Sequence, residues 1–262
     1  MVASQIKAKA RESLTGKWGK AALFTLTYSI IVFVINFICG LVPIIGNIAL
    51  LAISTPISYG FIVSFIKLKR GEEVEYTDFL TNGFSSFGKV WGVIGNIILK
   101  MILPICLVVI SIILLIFCGV AFSGAIVTNL SVSQTAFIDA STRLSTWVIV
   151  LAIVGFILYI ASIIYVIVKS FLYSLSFYIL NDNPELSGKE IVNESERLMK
   201  GHRWNLVWLS ITFIGWAILA SIPFGIGMLW LIPYVAVATI CFYEELAGKN
   251  DTTVIETETK SE

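Results

Sequence analysis

Uncharged apolar runs as long as a bilayer is thick constrain this chain more than any other feature. Ala21–Val42, Met101–Phe122 and Thr146–Val168 carry almost no charge. A hydrocarbon core of ~30 Å needs roughly 20 apolar helical residues, because only a helix or a closed barrel satisfies its own backbone in lipid. The pattern predicts six transmembrane helices, at about 21–42, 45–66, 91–121, 146–169 (continuing helically to about 180), 206–222 and 226–243. Composition agrees: 57% of residues are hydrophobic and 13% charged, about half the charge density of soluble domains. The expected fold is all-α and polytopic, with six transmembrane helices as three hairpins, each preceded by a cytoplasmic interfacial amphipathic helix.

These spans give one integral-membrane domain over 1–246, with hairpins at about 21–66, 91–180 and 206–243. The tail, 247–262, is acidic and polar and is expected to lack a fold. The turns Gly40–Gly46 and Pro223–Gly227 are short and rich in Gly and Pro. A longer polar loop is expected at about 123–145, with Asn129, Ser131, Ser133, Gln134 and Asp139. The first twenty residues read as basic and amphipathic rather than as a cleavable signal, so the first membrane helix is expected to act as its own insertion signal.

Orientation follows the distribution of cations. Fifteen of the 18 Lys and Arg residues fall on one side of this topology, and Arg143 alone falls on the other. Both termini are therefore placed in the cytoplasm, in a multi-pass protein of the cell membrane, with 123–145 outside.

Three places in the chain look alike. Ser13-Leu-Thr-Gly-Lys-Trp18, Phe87-Gly-Lys-Val-Trp91 and Leu198-Met-Lys-Gly-His-Arg-Trp204 each combine Gly, a basic residue and Trp at the start of a span. Gly ends a helix in the left-handed conformation, and Trp18, Trp91 and Trp204 are read as interfacial anchors. The preceding segments are amphipathic. Ile6, Ala10, Leu14 and Trp18 recur every four residues, with Lys7, Lys9, Arg11 and Lys17 off that line. Ser187-Gly-Lys-Glu190 has the capping-box pattern of a helix start.

Further stretches carry a family likeness: Lys169-Ser-Phe-Leu-Tyr-Ser-Leu-Ser-Phe-Tyr-Ile-Leu-Asn-Asp-Asn-Pro184, Glu194-Ser-Glu-Arg-Leu-Met-Lys-Gly-His-Arg-Trp204, Phe213-Ile-Gly-Trp216, Gly225-Ile-Gly-Met-Leu-Trp-Leu-Ile-Pro-Tyr234 and Phe242-Tyr-Glu-Glu-Leu246. Over about 5–246 the chain resembles an uncharacterised bacterial integral-membrane family, domain of unknown function 975, of low-GC Gram-positive type. The resemblance implies a six-helix cytoplasmic-membrane protein and no particular activity.

Charges within membrane spans are the default functional candidates, since each costs at least ~2.5–3.5 kcal/mol. Lys100 lies nine residues beyond Trp91, ~13 Å deeper along a regular helix. It is read as an anion ligand or a snorkelling side chain. Lys169 is read as an interface anchor or as a partner of Glu244 or Glu245. Asn36, Asn47 and Asn96 suit hydrogen bonds between helices or a polar substrate path, and Pro56, Pro104 and Pro233 mark kinks or interrupted helices that expose backbone groups to a substrate or ion. The four cysteines, Cys39, Cys106, Cys118 and Cys241, all lie in apolar windows without metal-ligand spacing.

No zincin, phosphate-loop or nucleophile-elbow motif occurs in the sequence. His202 with Glu190, Glu194 and Glu196 is the nearest approach to a catalytic cluster. No cofactor, metal or nucleic acid is expected. The expected partners are the bilayer, anionic headgroups on the cytoplasmic side and a second membrane protein, and small residues such as Gly92 and Gly95 leave room for homo-oligomers. Three classes follow. The first is a non-catalytic accessory, scaffold or protective factor that binds lipid or another membrane protein. The second is a transporter or channel for an amphipathic compound or peptide, and the third a lipid-modifying enzyme.

Overall fold

A computed structural model of the protein describes residues 3–131 and 135–248. Among these residues it is entirely helical apart from turns and short connections: α1 (Ala3–Leu14), α2 (Trp18–Gly40), α3 (Pro43–Arg70), α4 (Asp78–Ser85), α5 (Phe87–Ser131), α6 (Thr135–Leu172), α7 (Ser176–Asp182), α8 (Gly188–Met199), α9 (Arg203–Ser221) and α10 (Met228–Leu246). Six helices are long and apolar enough to cross a membrane: Trp18–Gly40, Ile44–Arg70, Phe87–Ser123, Thr146–Asp182, Arg203–Ser221 and Met228–Leu246. All six expected spans are therefore present. Their outward faces carry large apolar side chains, including Phe33, Phe37, Phe117 and Phe156. In water such patches mark aggregation or interaction surfaces; in lipid they meet a solvent as apolar as themselves.

The polar stretch 123–145 differs from expectation. α5 runs on to Ser131, and α6 begins at Thr135. Polarity alone does not end a helix, and no Pro interrupts this stretch. Ser133, Gln134 and most of the tail lie outside the described residues. A second difference falls after Lys169, where the helix stops at Leu172 and a turn precedes α7.

The chain divides into two compact units, residues 97–170 and the remainder. In the 97–170 unit, Gly155 lets α6 approach α5, its added Cβ standing 3.2 Å from a Leu114 methyl. In the larger unit, α3 packs closely on α4 and along α2, and α10 contacts α1, α2, α3 and α9. Pro43 opens α3, where its missing N–H is no loss. Gly71 ends it at φ +83, with the Gly71 and Glu72 N–H groups bonded back to Leu68 and Lys67. The ammonium of Lys17 also donates to the Leu68 carbonyl at 2.9 Å.

Gly16 and Gly201 take positive φ just before Trp18 and Trp204, as the repeated pattern predicts. The middle copy departs from it: Gly88 lies inside α5. Trp91 has a task of its own there. Pro56 has no N–H for the Ala52 carbonyl one turn back, and the Trp91 indole N–H donates to that carbonyl at 3.3 Å. Trp91→Phe is expected to leave the carbonyl unmet and to cost about 1 kcal/mol, read from unfolding in mixed micelles; an unchanged stability contradicts this role.

α8 carries the capping box in full. Ser187 Oγ accepts from the Glu190 N–H at 3.4 Å, and the Glu190 carboxylate accepts from the Ser187 N–H at 2.8 Å. The Ser187 hydroxyl and N–H hold the Glu190 carboxyl below its ordinary range. A depressed folded pKa means that this stabilisation is complete above the unfolded value and lost as pH falls through the folded one. Ser187→Ala is expected to raise hydrogen exchange in 188–199 by about fivefold near neutrality, and by less as acid protonates Glu190.

Candidate functional site

The apolar stripe of α1 sets the site. Ile6, Ala10 and Leu14 are fully buried, and α1 packs on α10 and touches α9. Protein therefore covers the face expected to lie on lipid. The same holds for Ile191, Val192 and Met199 of α8 and for Phe79 of α4. Turning that stripe inward aims the off-stripe charges elsewhere. Lys9 reaches Glu245 at 3.7 Å, while Ser4, Lys7 and Arg11 face a recess of about 640 Å³ between α1, the start of α2, α9 and α10.

The walls of this recess are aromatic and aliphatic: Trp18, Trp216, Leu219, Ala220, Pro223, Gly227, Trp230, Leu231 and Tyr234. The Tyr234 ring lies 6.1 Å from Trp18 and 5.1 Å from Phe213, and its hydroxyl donates to the Lys7 carbonyl at 3.3 Å. The Lys7 ammonium stands 5.9 Å from the centre of the Phe213 ring, within cation–π range. Phe213 is ten residues into α9, ~15 Å from its start. The cation is thus held well along a helix long enough to span a membrane. Among the described residues, neither Lys7 nor Arg11 forms an ion pair with a carboxylate, and no Asp or Glu lines the recess. At Gly227, the residue before α10, an added Cβ would stand 2.7 Å from the Ala220 Cα, so the turn between the two helices packs closely on the end of α9.

A second cluster ties the helix ends together. Lys69 pairs with Glu244, both largely buried. Arg70 donates to Asp182 at 2.8 Å, and that carboxylate is only 4% exposed. With Lys9–Glu245, these pairs join α3, α7, α10 and α1. The carboxylates matched to Lys169 in the sequence are thus engaged by Lys69 and Lys9, and Lys169 sits beside the Tyr165 ring at 6.0 Å.

Lys100 and His202 are not among the residues that line the recess or form the ion pairs described above. Lys100 is half-buried in α5. His202 precedes α9 with its Nδ1 atom buried, while Glu190 serves the capping box and Glu194 binds Arg197 through two contacts of 2.8 and 2.6 Å. Those two carboxylates are thus committed to the structure of α8. Trp204 is 76% exposed and lines a separate recess with Ala3, Ile6 and Trp208. Of the three Trp anchors, Trp18 alone belongs to the aromatic recess. Lys7, Arg11, Trp216 and Trp230 were not foreseen as a site; the signal was two cations four residues apart on a helix whose apolar face needs a cover.

Six membrane-length helices define the class, a polytopic helical membrane protein. The chain belongs to the family described as protein of unknown function (DUF975), whose model matches residues 1–250. No curated protein and no solved structure matches it.

Proposed function

We propose that this is a non-catalytic membrane protein that binds an anionic amphiphile in the recess between α1, α9 and α10. One observation carries the reading: Lys7 and Arg11, which pair with no carboxylate among the described residues, stand against an aromatic and aliphatic wall within membrane-length helices. An ionisable group in such a place marks a functional site by default, and concave apolar walls with a few convergent polar groups are the usual form of a small-molecule site. In this proposal the termini and the Lys/Arg-rich helix ends face the cytoplasm, and the protein acts as an accessory or protective factor.

Native mass spectrometry of the full chain, released from nanodiscs made with total membrane lipid, tests this. The wild type is expected to retain anionic amphiphiles, and the double variant Lys7→Gln/Arg11→Gln to retain about tenfold less, with an unshifted thermal transition. Equal retention by a folded double variant overturns the proposal.

A further inference from the structure

Polarity in the recess is divided along its length. Its cations, Lys7 and Arg11, both come from α1. That helix lies toward the open end of the α9–α10 hairpin: Lys9 meets Glu245 near the end of α10, and Ala3 and Ile6 share a recess with Trp204 near the start of α9. The Phe213 ring meets Tyr234 and Ala220 approaches Gly227, so α9 and α10 run antiparallel to their turn. Between the Phe213–Tyr234 level and that turn, the two helices line the recess with Trp216, Leu219, Ala220, Trp230 and Leu231, all aromatic or aliphatic.

This wall is open on its flank. Trp216, Leu219 and Trp230 are 59%, 58% and 48% exposed, on helices long enough to cross a membrane. In a bilayer such a flank meets hydrocarbon, so the recess is entered sideways from the lipid. A water-borne anion gains only from the two cations. A lipid beside them brings its charge to Lys7 and Arg11 while its hydrocarbon stays on the wall, and it offsets the cost of holding Lys7 against a membrane-length helix. Resting on the amphiphile reading above, we infer that the recess takes an anionic lipid directly from the bilayer, its headgroup at Lys7 and Arg11 and its hydrocarbon toward Pro223 and Gly227. The lipid belongs to the leaflet on the side of α1.

The test uses the full chain in phosphatidylcholine nanodiscs doped with photoactivatable phosphatidylglycerol, the diazirine placed either in the headgroup or at the end of an acyl chain. The headgroup probe is expected to label 4–18 and the chain-end probe 216–231, both saturably and both displaced by unlabelled phosphatidylglycerol. Lys7→Gln/Arg11→Gln, checked for an unshifted thermal transition, is expected to lower both labels about tenfold. A third probe, photoactivatable octyl phosphate, enters from water. If octyl phosphate labels the recess saturably and phosphatidylglycerol does not, the bilayer source is overturned and the amphiphile reading stands. If the chain-end probe labels 4–18 and the headgroup probe 216–231, the orientation is overturned and the amphiphile reading again stands. If no anionic probe labels the recess saturably, or the double variant is labelled as strongly as the wild type, both readings fall.

Discussion

Replacing Lys69 by Met is expected to destabilise the protein by about 3–5 kcal/mol. Lys69 and Glu244 are 14% and 13% exposed in their side chains and form one ion pair between α3 and α10. Removing the ammonium leaves a carboxylate in a place water barely reaches. Taking the pair out together removes that penalty, so Lys69→Met/Glu244→Leu is expected to be more stable than Lys69→Met alone. Lys9→Met is expected to cost under ~1 kcal/mol, because that lysine is half exposed and its pair with Glu245 is solvated. Unfolding by denaturing detergent, followed by circular dichroism, gives all three values. A Lys69→Met protein as stable as the wild type contradicts the buried pair.

The second large effect is expected from Gly60. An added Cβ there would stand 1.9 Å from the Phe79 carbonyl oxygen, and one on Gly83 would stand 2.3 Å from the Pro56 carbonyl oxygen. Both obstacles are backbone, which cannot swing aside, so α4 must lift from α3. Gly60→Ala is expected to cost about 3 kcal/mol and Gly60→Val more. The displacement also loosens the Phe24, Phe61, Phe65 and Phe79 cluster, whose contacting rings lie 4.8 to 5.8 Å apart between centres. Gly215→Ala, with nothing near its added Cβ, is expected to stay within about 0.5 kcal/mol. Equal stabilities for Gly60→Ala and Gly215→Ala would show that the α3–α4 contact is not close.

The membrane spans were legible in sequence because a bilayer imposes length and hydropathy directly. The capping box of α8 was legible because its pattern is local. Neither condition held for the site. Lys7 and Arg11 read as headgroup charges as long as the Ile6–Ala10–Leu14 stripe was taken to lie on lipid. Their role depends on what covers that stripe, and the cover is α10, more than 200 residues away in the chain. Trp91 read as an interface anchor because its partner, the Ala52 carbonyl, is freed by a proline on another helix. In sequence Glu244 and Glu245 offer themselves only to Lys169; their engagement by Lys69 and Lys9 is a matter of packing between helices distant in the chain. The run at 123–145 reads as a loop from its polarity, yet its described residues continue α5 to Ser131 and begin α6 at Thr135, because polar residues without Pro do not by themselves end a helix.

Photolabelling tests the central claim most directly. A photoactivatable amphiphilic carboxylate is added to the protein in nanodiscs and the labelled peptides are sequenced. The account predicts labels concentrated in 4–18 and 216–234, and lost in Lys7→Gln/Arg11→Gln. Labels spread over the lipid-facing surfaces of α5 and α6 in proportion to their exposure, and unchanged in the double variant, would contradict it.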